Sequence, residues 1–108
     1  MRILILLACG AALLAAQSPQ NGRSIFEKYG CYQCHGREAQ GGLGTGPRLG
    51  PEPIGFIAFQ RYLRRPTGQM PPYTSAVVSD TEIADIYSFV QSVKEPPAVK
   101  DLPPLPGR

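Results

Sequence analysis

The sequence predicts an all-α fold with about three main helices. Three stretches place apolar residues at helical spacing between helix start and stop signals. The segments between them are dense in Gly and Pro, which breaks regular structure. The chain has 108 residues, of which 43% are hydrophobic, so it holds one small domain at most. A large enzyme, a multidomain receptor, a polytopic membrane protein and a coiled coil are excluded.

The first residues are not part of that domain. Residues 3–16 read ILILLACGAALLAA, apolar throughout except Gly10, after the basic start Met1-Arg2. The run is shorter than the roughly 20 residues that cross a bilayer, and small residues Ala15 and Ala16 close it. Residues 1–16 are therefore expected to be a secretory signal peptide, cleaved near Ala16, which makes the protein periplasmic. An alternative stays open. Leu6-Leu7-Ala8-Cys9 resembles a lipoprotein processing site, which would anchor the chain to a membrane surface by a lipid on Cys9.

Residues 17–20 form a polar junction, and the domain is expected over 21–94. Asn21 is a plausible N-cap for a short helix over 21–30, and Gly30 a plausible stop. Residues 36–53 hold six Gly and three Pro and read as an extended loop. A second helix is expected over 54–65, with Phe56, Phe59 and Leu63 on one face and Pro66 ending it. The third has the clearest signals. Ser79 and Glu82 form a capping box, and Ile83, Ile86, Tyr87, Val90 and Val93 follow as one stripe. Pro96 and Pro97 stop it. Residues 95–108, with five Pro after Glu95, are expected to be extended polyproline II or disordered.

Charge decides little. Lys plus Arg is 11 and Asp plus Glu is 8, too mild a balance to argue for nucleic acid. The distribution is uneven. Arg37, Arg48, Arg61, Arg64 and Arg65 face only Glu38 and Glu52 within 37–65, while Asp80, Glu82 and Asp85 have no base within 80–85. This is either a mixed solvated surface or a docking face.

The chemistry lies in Cys31-Tyr32-Gln33-Cys34-His35. In an exported protein C-x-x-C-H reads as covalent attachment of haem c. The two thiols can add to the two vinyl groups on one porphyrin edge, and His35 is then held under the ring as proximal iron ligand. Cleavage after Ala16 would leave 92 residues, a lean chain that needs something besides side chains to fill its middle. A covalently held porphyrin meets that need. Two rivals are weaker. A thioredoxin-like pair needs a longer strand–helix scaffold. Structural zinc needs four ligands, and Cys31, Cys34 and His35 exhaust the Cys and His of residues 17–108.

The order of the motifs resembles the class I monohaem cytochromes c of bacteria. Gly22 and Phe26 stand before the haem motif, Gly46-Pro47-x-Leu49 follows it, and Arg64-x-Pro66 leads to Met70-Pro71. The resemblance runs from about Gly22 to Val93. It implies the cytochrome c fold, about three main helices wrapped around one covalently attached haem. Its first and last helices would cross, Gly22 permitting close approach and Phe26 packing near Ile86 and Phe89. It also implies that the Pro47 carbonyl accepts the second ring N–H of His35.

Elimination narrows the sixth ligand. His35 is the only histidine, and Met70 is the only methionine besides Met1. Met70 lies in a Pro-bounded loop that resembles the family's distal segment, so it is the expected distal ligand. Arg48, Arg61, Arg64 and Arg65, with Tyr62 and Tyr73, are candidates to pair with haem propionates, Arg64 being the one singled out. The reading is a periplasmic one-electron carrier and not an enzyme. It would act as a free protein or as the cytochrome subunit of a redox enzyme. Its partners would be a dehydrogenase, an oxidase or another cytochrome, with no nucleic acid and no membrane span. One alternative is a haem enzyme or gas sensor, peroxidase-like, with an open or labile distal site. The other is a binding module without a cofactor.

Overall fold

The computed structural model describes residues 17–107. The expected signal segment, its cleavage near Ala16 and the lipidation alternative at Cys9 all lie outside the described residues. Four α-helices follow in order: α1 (Pro19–Lys28), α2 (Tyr32–His35), α3 (Phe56–Arg64) and α4 (Asp80–Ser92). Among the described residues there is no strand, only an isolated bridge between Gly42 and Gly46. The all-α expectation holds. No helix among these residues is long and apolar enough to cross a membrane.

Helix α1 starts two residues before the expected cap. Pro19, whose fixed φ suits the first helical position, follows Ser18, and the Ser18 Oγ accepts the Asn21 backbone N–H at 3.1 Å. Asn21 is thus inside the helix. Its side chain reaches instead to Asp85 Oδ2 at 2.7 Å, while the Ser18 N–H donates to Asp85 Oδ1 at 2.9 Å. Asp85 is therefore buried and hydrogen-bonded and does not extend the acidic surface read from the sequence. Gly30 takes φ 78° just past the end of α1.

The core is the α1–α4 crossing with α3 laid against α4. Gly22 makes the crossing possible, since a Cβ there would collide with the Asp85 carbonyl and with Phe89 Cβ. The rings of Phe26 and Phe89 meet edge to face with centroids 5.2 Å apart. Both are almost fully buried in one cluster with Ile25, Ile83, Ile86 and Val90. Burying one such side chain contributes about 1.5–3 kcal/mol. Helix α3 adds Phe59 and Leu63, with Phe59 and Phe56 set edge-on to Tyr87 at 5.1 and 5.3 Å.

The capping box of α4 forms as read: Ser79 Oγ accepts the Glu82 N–H at 3.1 Å, and Glu82 Oε1 accepts the Ser79 N–H at 3.0 Å. The apolar stripe is buried, apart from the half-buried Tyr87. The helix stops at Ser92, before either proline. Val93 turns extended, and Ser92 Oγ donates to the Phe89 carbonyl at 2.7 Å. The C-terminal segment, expected to be extended polyproline II or disordered, is exposed and contains one 3-10 turn over Val99–Asp101.

Candidate functional site

Cys31 leads into the single turn of α2, and Cys34 and His35 lie within it. Neither cysteine is in a disulfide, and Cys34 is exposed. His35 is buried at 8% exposure. Its Nδ1 lies 2.8 Å from the Pro47 carbonyl oxygen, which accepts when Nδ1 carries the proton. That tautomer leaves Nε2 with a lone pair for a metal.

The Gly-rich loop after α2 is folded tightly over the histidine. Gly41 N–H donates to the His35 carbonyl at 2.7 Å, and Leu49 N–H to the Ala39 carbonyl at 2.9 Å. Thr45 Oγ1 donates to the Cys34 carbonyl at 2.8 Å. At Gly46 a Cβ would stand 3.0 Å from both His35 Nδ1 and the Cys34 carbonyl oxygen. A side chain there would push the loop or the ring aside by a few tenths of an ångström. Arg23 of α1 clips the same loop by a two-pronged pair with Glu38, both contacts at 2.9 Å. This pair holds the Glu38 carboxyl below its ordinary range.

Met70 lies on the loop between α3 and α4, half-buried against the core cluster together with Cys31, Tyr32, Leu49 and Tyr73. Three ties hold that loop. Tyr73 N–H donates to the Leu63 carbonyl at 2.9 Å. The Tyr73 hydroxyl donates to the Tyr29 carbonyl at 2.9 Å, next to the cysteine turn. Burial pushes the Tyr73 hydroxyl above its ordinary value, and burial likewise pushes the Cys31 thiol up.

Arg64 supplies the third tie. Its Nη1 donates to the carbonyls of Tyr73 at 2.9 Å and Val78 at 2.6 Å, and its Nη2 to Asp80 Oδ1 at 2.6 Å. One guanidinium thus joins the end of α3, both sides of the 73–78 turn and the start of α4. The arginine holds the Asp80 carboxyl below its ordinary value. These protein partners differ from the propionate expected for Arg64. The other candidates also have local contacts: Arg48 pairs with Glu95 at 3.3 Å, and Tyr62 meets Thr67 Oγ1 at 2.9 Å. Arg61 and Arg65 form no ion pair among the described residues.

The residues present fit a flat apolar group with a central metal. The histidine is oriented with one nitrogen left over, two unpaired thiols flank it, and the loop packs without a Cβ against the ring. Among the described residues no three His, Cys, Asp or Glu side chains gather to hold a metal ion. An iron bound here would thus need the porphyrin nitrogens. Of the residues named from the sequence, the structure sets the Pro47 carbonyl on His35 beside Cys31 and Cys34 and packs Met70 against the core cluster. The contacts of Thr45, Tyr73 and Asp85 and the Arg23–Glu38 clip were not legible, because each is set by a partner distant in sequence.

Residues 17–90 match the family described as Cytochrome C oxidase, cbb3-type, subunit III. No curated protein and no solved structure matches the chain.

Proposed function

Because the chain belongs to this family of c-type cytochrome domains, whose cofactor is haem c, we propose that it is an exported, periplasmic one-electron carrier with His/Met axial ligation. The observation that carries the reading is the oriented His35, with Nδ1 on the Pro47 carbonyl, inside a C-x-x-C-H turn. In this reading Cys31 and Cys34 would hold the haem by two thioethers, and His35 Nε2 and Met70 Sδ would hold its iron. When bound, the haem supplies a ferric/ferrous couple, and a thioether ligand raises its potential.

The chain's own part is positional. The Pro47 carbonyl fixes the His35 tautomer and strengthens its donor nitrogen. The loop over 36–50 packs on His35 and on the Cys34 carbonyl. Arg64 and the Tyr73 hydroxyl hold the Met70 loop, so that the ligand does not move between oxidation states and reorganisation stays small. If His35 and Met70 both held the iron, they would leave no iron site for a substrate, which favours a carrier over an enzyme. The family description names an oxidase subunit, which supports the form in which this chain serves a larger redox complex.

The test is the optical spectrum of the exported protein, oxidised and reduced, with a denatured pyridine control. The expected result is a two-thioether haem and a weak far-red sulfur-to-iron band. A covalent haem without that band overturns Met70 ligation and favours the open-site enzyme or sensor. Absence of covalent haem overturns the assignment of Cys31 and Cys34. Cys34→Ala is expected to leave little matured holoprotein.

A further inference from the structure

We infer that residues 96–105 are a docking strip for a protein partner that presents a groove lined with aromatic side chains. The inference goes beyond the carrier reading and rests on the segment after the folded domain, outside the region matched to the family.

Every residue from Lys94 to Gly107 is exposed. Three large apolar side chains in this stretch stand in solvent: Val99 at 85%, Leu102 at 51% and Leu105 at 74%. A single exposed leucine has no meaning. Their spacing does. A polyproline II strand has three residues per turn, so positions three apart share one edge. That edge is Pro96, Val99, Leu102 and Leu105, apolar at all four positions. The second edge carries Lys100 and the third Asp101, so the described strip keeps its charges off the apolar edge.

The residues on either side of the central turn already have that form. Ala98 has φ −64° and ψ 147°, and Leu102 has φ −79° and ψ 140°, both polyproline II values. The 3-10 turn over Val99–Asp101 intervenes, and its backbone bonds, such as the one from the Leu102 N–H to the Val99 carbonyl, must open for the edge to run straight. Prolines at 96, 97, 103, 104 and 106 limit the freedom lost on binding. Extended, the four-residue edge spans about 28 Å. A rod of this kind, apolar along one edge and fixed in advance by proline, fits an aromatic-lined groove.

The root of the strip lies beside the site. Glu95 pairs with Arg48 at 3.3 Å, one residue from Pro47, which holds His35. A partner that grips residues 96–105 therefore keeps the His35 loop within a short tether. This raises its effective concentration at that partner without a large interface.

The test uses the full-length protein in its own cells. Three forms are compared: the native chain, an edge variant (Val99→Ser, Leu102→Ser, Leu105→Ser) and a charge control (Lys100→Ser, Asp101→Ser). The first readout is the rate of haem oxidation after an oxygen pulse. It is expected to fall about tenfold or more in the edge variant, and less than twofold in the control. Equal rates for native and edge variant overturn the proposal. The second readout is a photo-reactive residue placed at Leu102. The expected adduct lies on one protein, at a peptide bearing Trp, Tyr or Phe. Adducts on lipid alone assign the strip to a membrane surface and overturn the proposal, as do adducts scattered over many proteins. The cross-link needs no haem. A chain that lacks a c-type spectrum yet still forms the single adduct therefore separates failure of the carrier reading from failure of this one. Unchanged reduction of each purified form by ascorbate shows that the variants are intact.

Discussion

Replacing Arg64 with Ala is expected to loosen the Met70 loop before it unfolds the domain. The substitution removes two hydrogen bonds from a charged donor to the backbone carbonyls of Tyr73 and Val78. Each such bond contributes about 1.5–3 kcal/mol. Val78 is 1% exposed, and Arg64 itself keeps only 21% of its side-chain surface. Water can therefore repair the Tyr73 carbonyl on its half-exposed side more readily than the Val78 one. The expected net loss is about 2–4 kcal/mol. The ion pair with Asp80 is left out of that figure because the carboxylate is on the surface. Urea unfolding of the holoprotein measures the global loss, and the far-red sulfur-to-iron band, read in the same titration, reports the loop. The band is expected to vanish at lower urea than the helical signal, as a local opening does. Arg64→Lys should recover less than half of the loss, because one ammonium cannot span two carbonyls and a carboxylate. A change below about 0.5 kcal/mol, with band and helix lost together, would refute the latch.

Three further outcomes are expected. Gly22→Ala pushes a methyl into the Asp85 carbonyl and Phe89, so it should cost about 1–3 kcal/mol or more, read as a lowered thermal midpoint. Gly46→Ala meets the His35 ring and the Cys34 carbonyl at 3.0 Å, so it should displace the imidazole from Pro47 and shift the potential measured by redox titration; an unchanged potential would remove the loop from the tuning of the iron. Asp80 has a folded-state pKa below its ordinary 3.8, chiefly through the Arg64 hydrogen bond. Between the two values the unfolded state binds more protons, so the contribution is present above pH 3.8 and lost as pH falls through the lowered value. Asp80→Asn should therefore flatten the acid limb of a urea-midpoint series from about pH 6 to pH 3, while leaving its slope above pH 5 unchanged.

The parts legible in sequence were those whose signals are local. Ser79 and Glu82 declare the start of α4 within four residues, and the stripe from Ile83 to Val93 declares its buried face. Cys31, Cys34 and His35 share one turn, so their chemistry reads from spacing alone. The misread parts depended on partners far along the chain. Asn21 reads as a cap, but its carboxylate partner is 64 residues away. Asp85 reads as a surface acid, yet it receives the backbone of Ser18 from 67 residues away. The contacts of Arg64 were not legible either: its guanidinium meets two carbonyls of the following loop and the Asp80 carboxylate at the start of α4.

These contacts share a logic that bears on electron transfer. A carrier works best when its ligands stay fixed as the iron changes charge, and a lean chain cannot achieve this by bulk packing. Here the loops are fixed by specific polar ties. The loop over 36–50, proximal in the proposed reading, is held by Thr45 on the Cys34 carbonyl, by Pro47 on His35 and by Arg23 on Glu38. The Met70 loop, distal in that reading, is held by Tyr73 on Tyr29 and by Arg64 on the 73–78 turn. The Tyr29–Tyr73 bond joins the two sides, because Tyr29 is two residues from Cys31. Loss of the distal ties should therefore be felt at the methionine, and loss of the proximal ties at the histidine. Mutations in the α1–α4 crossing should lower stability while leaving the ligand band and the potential of the folded protein unchanged.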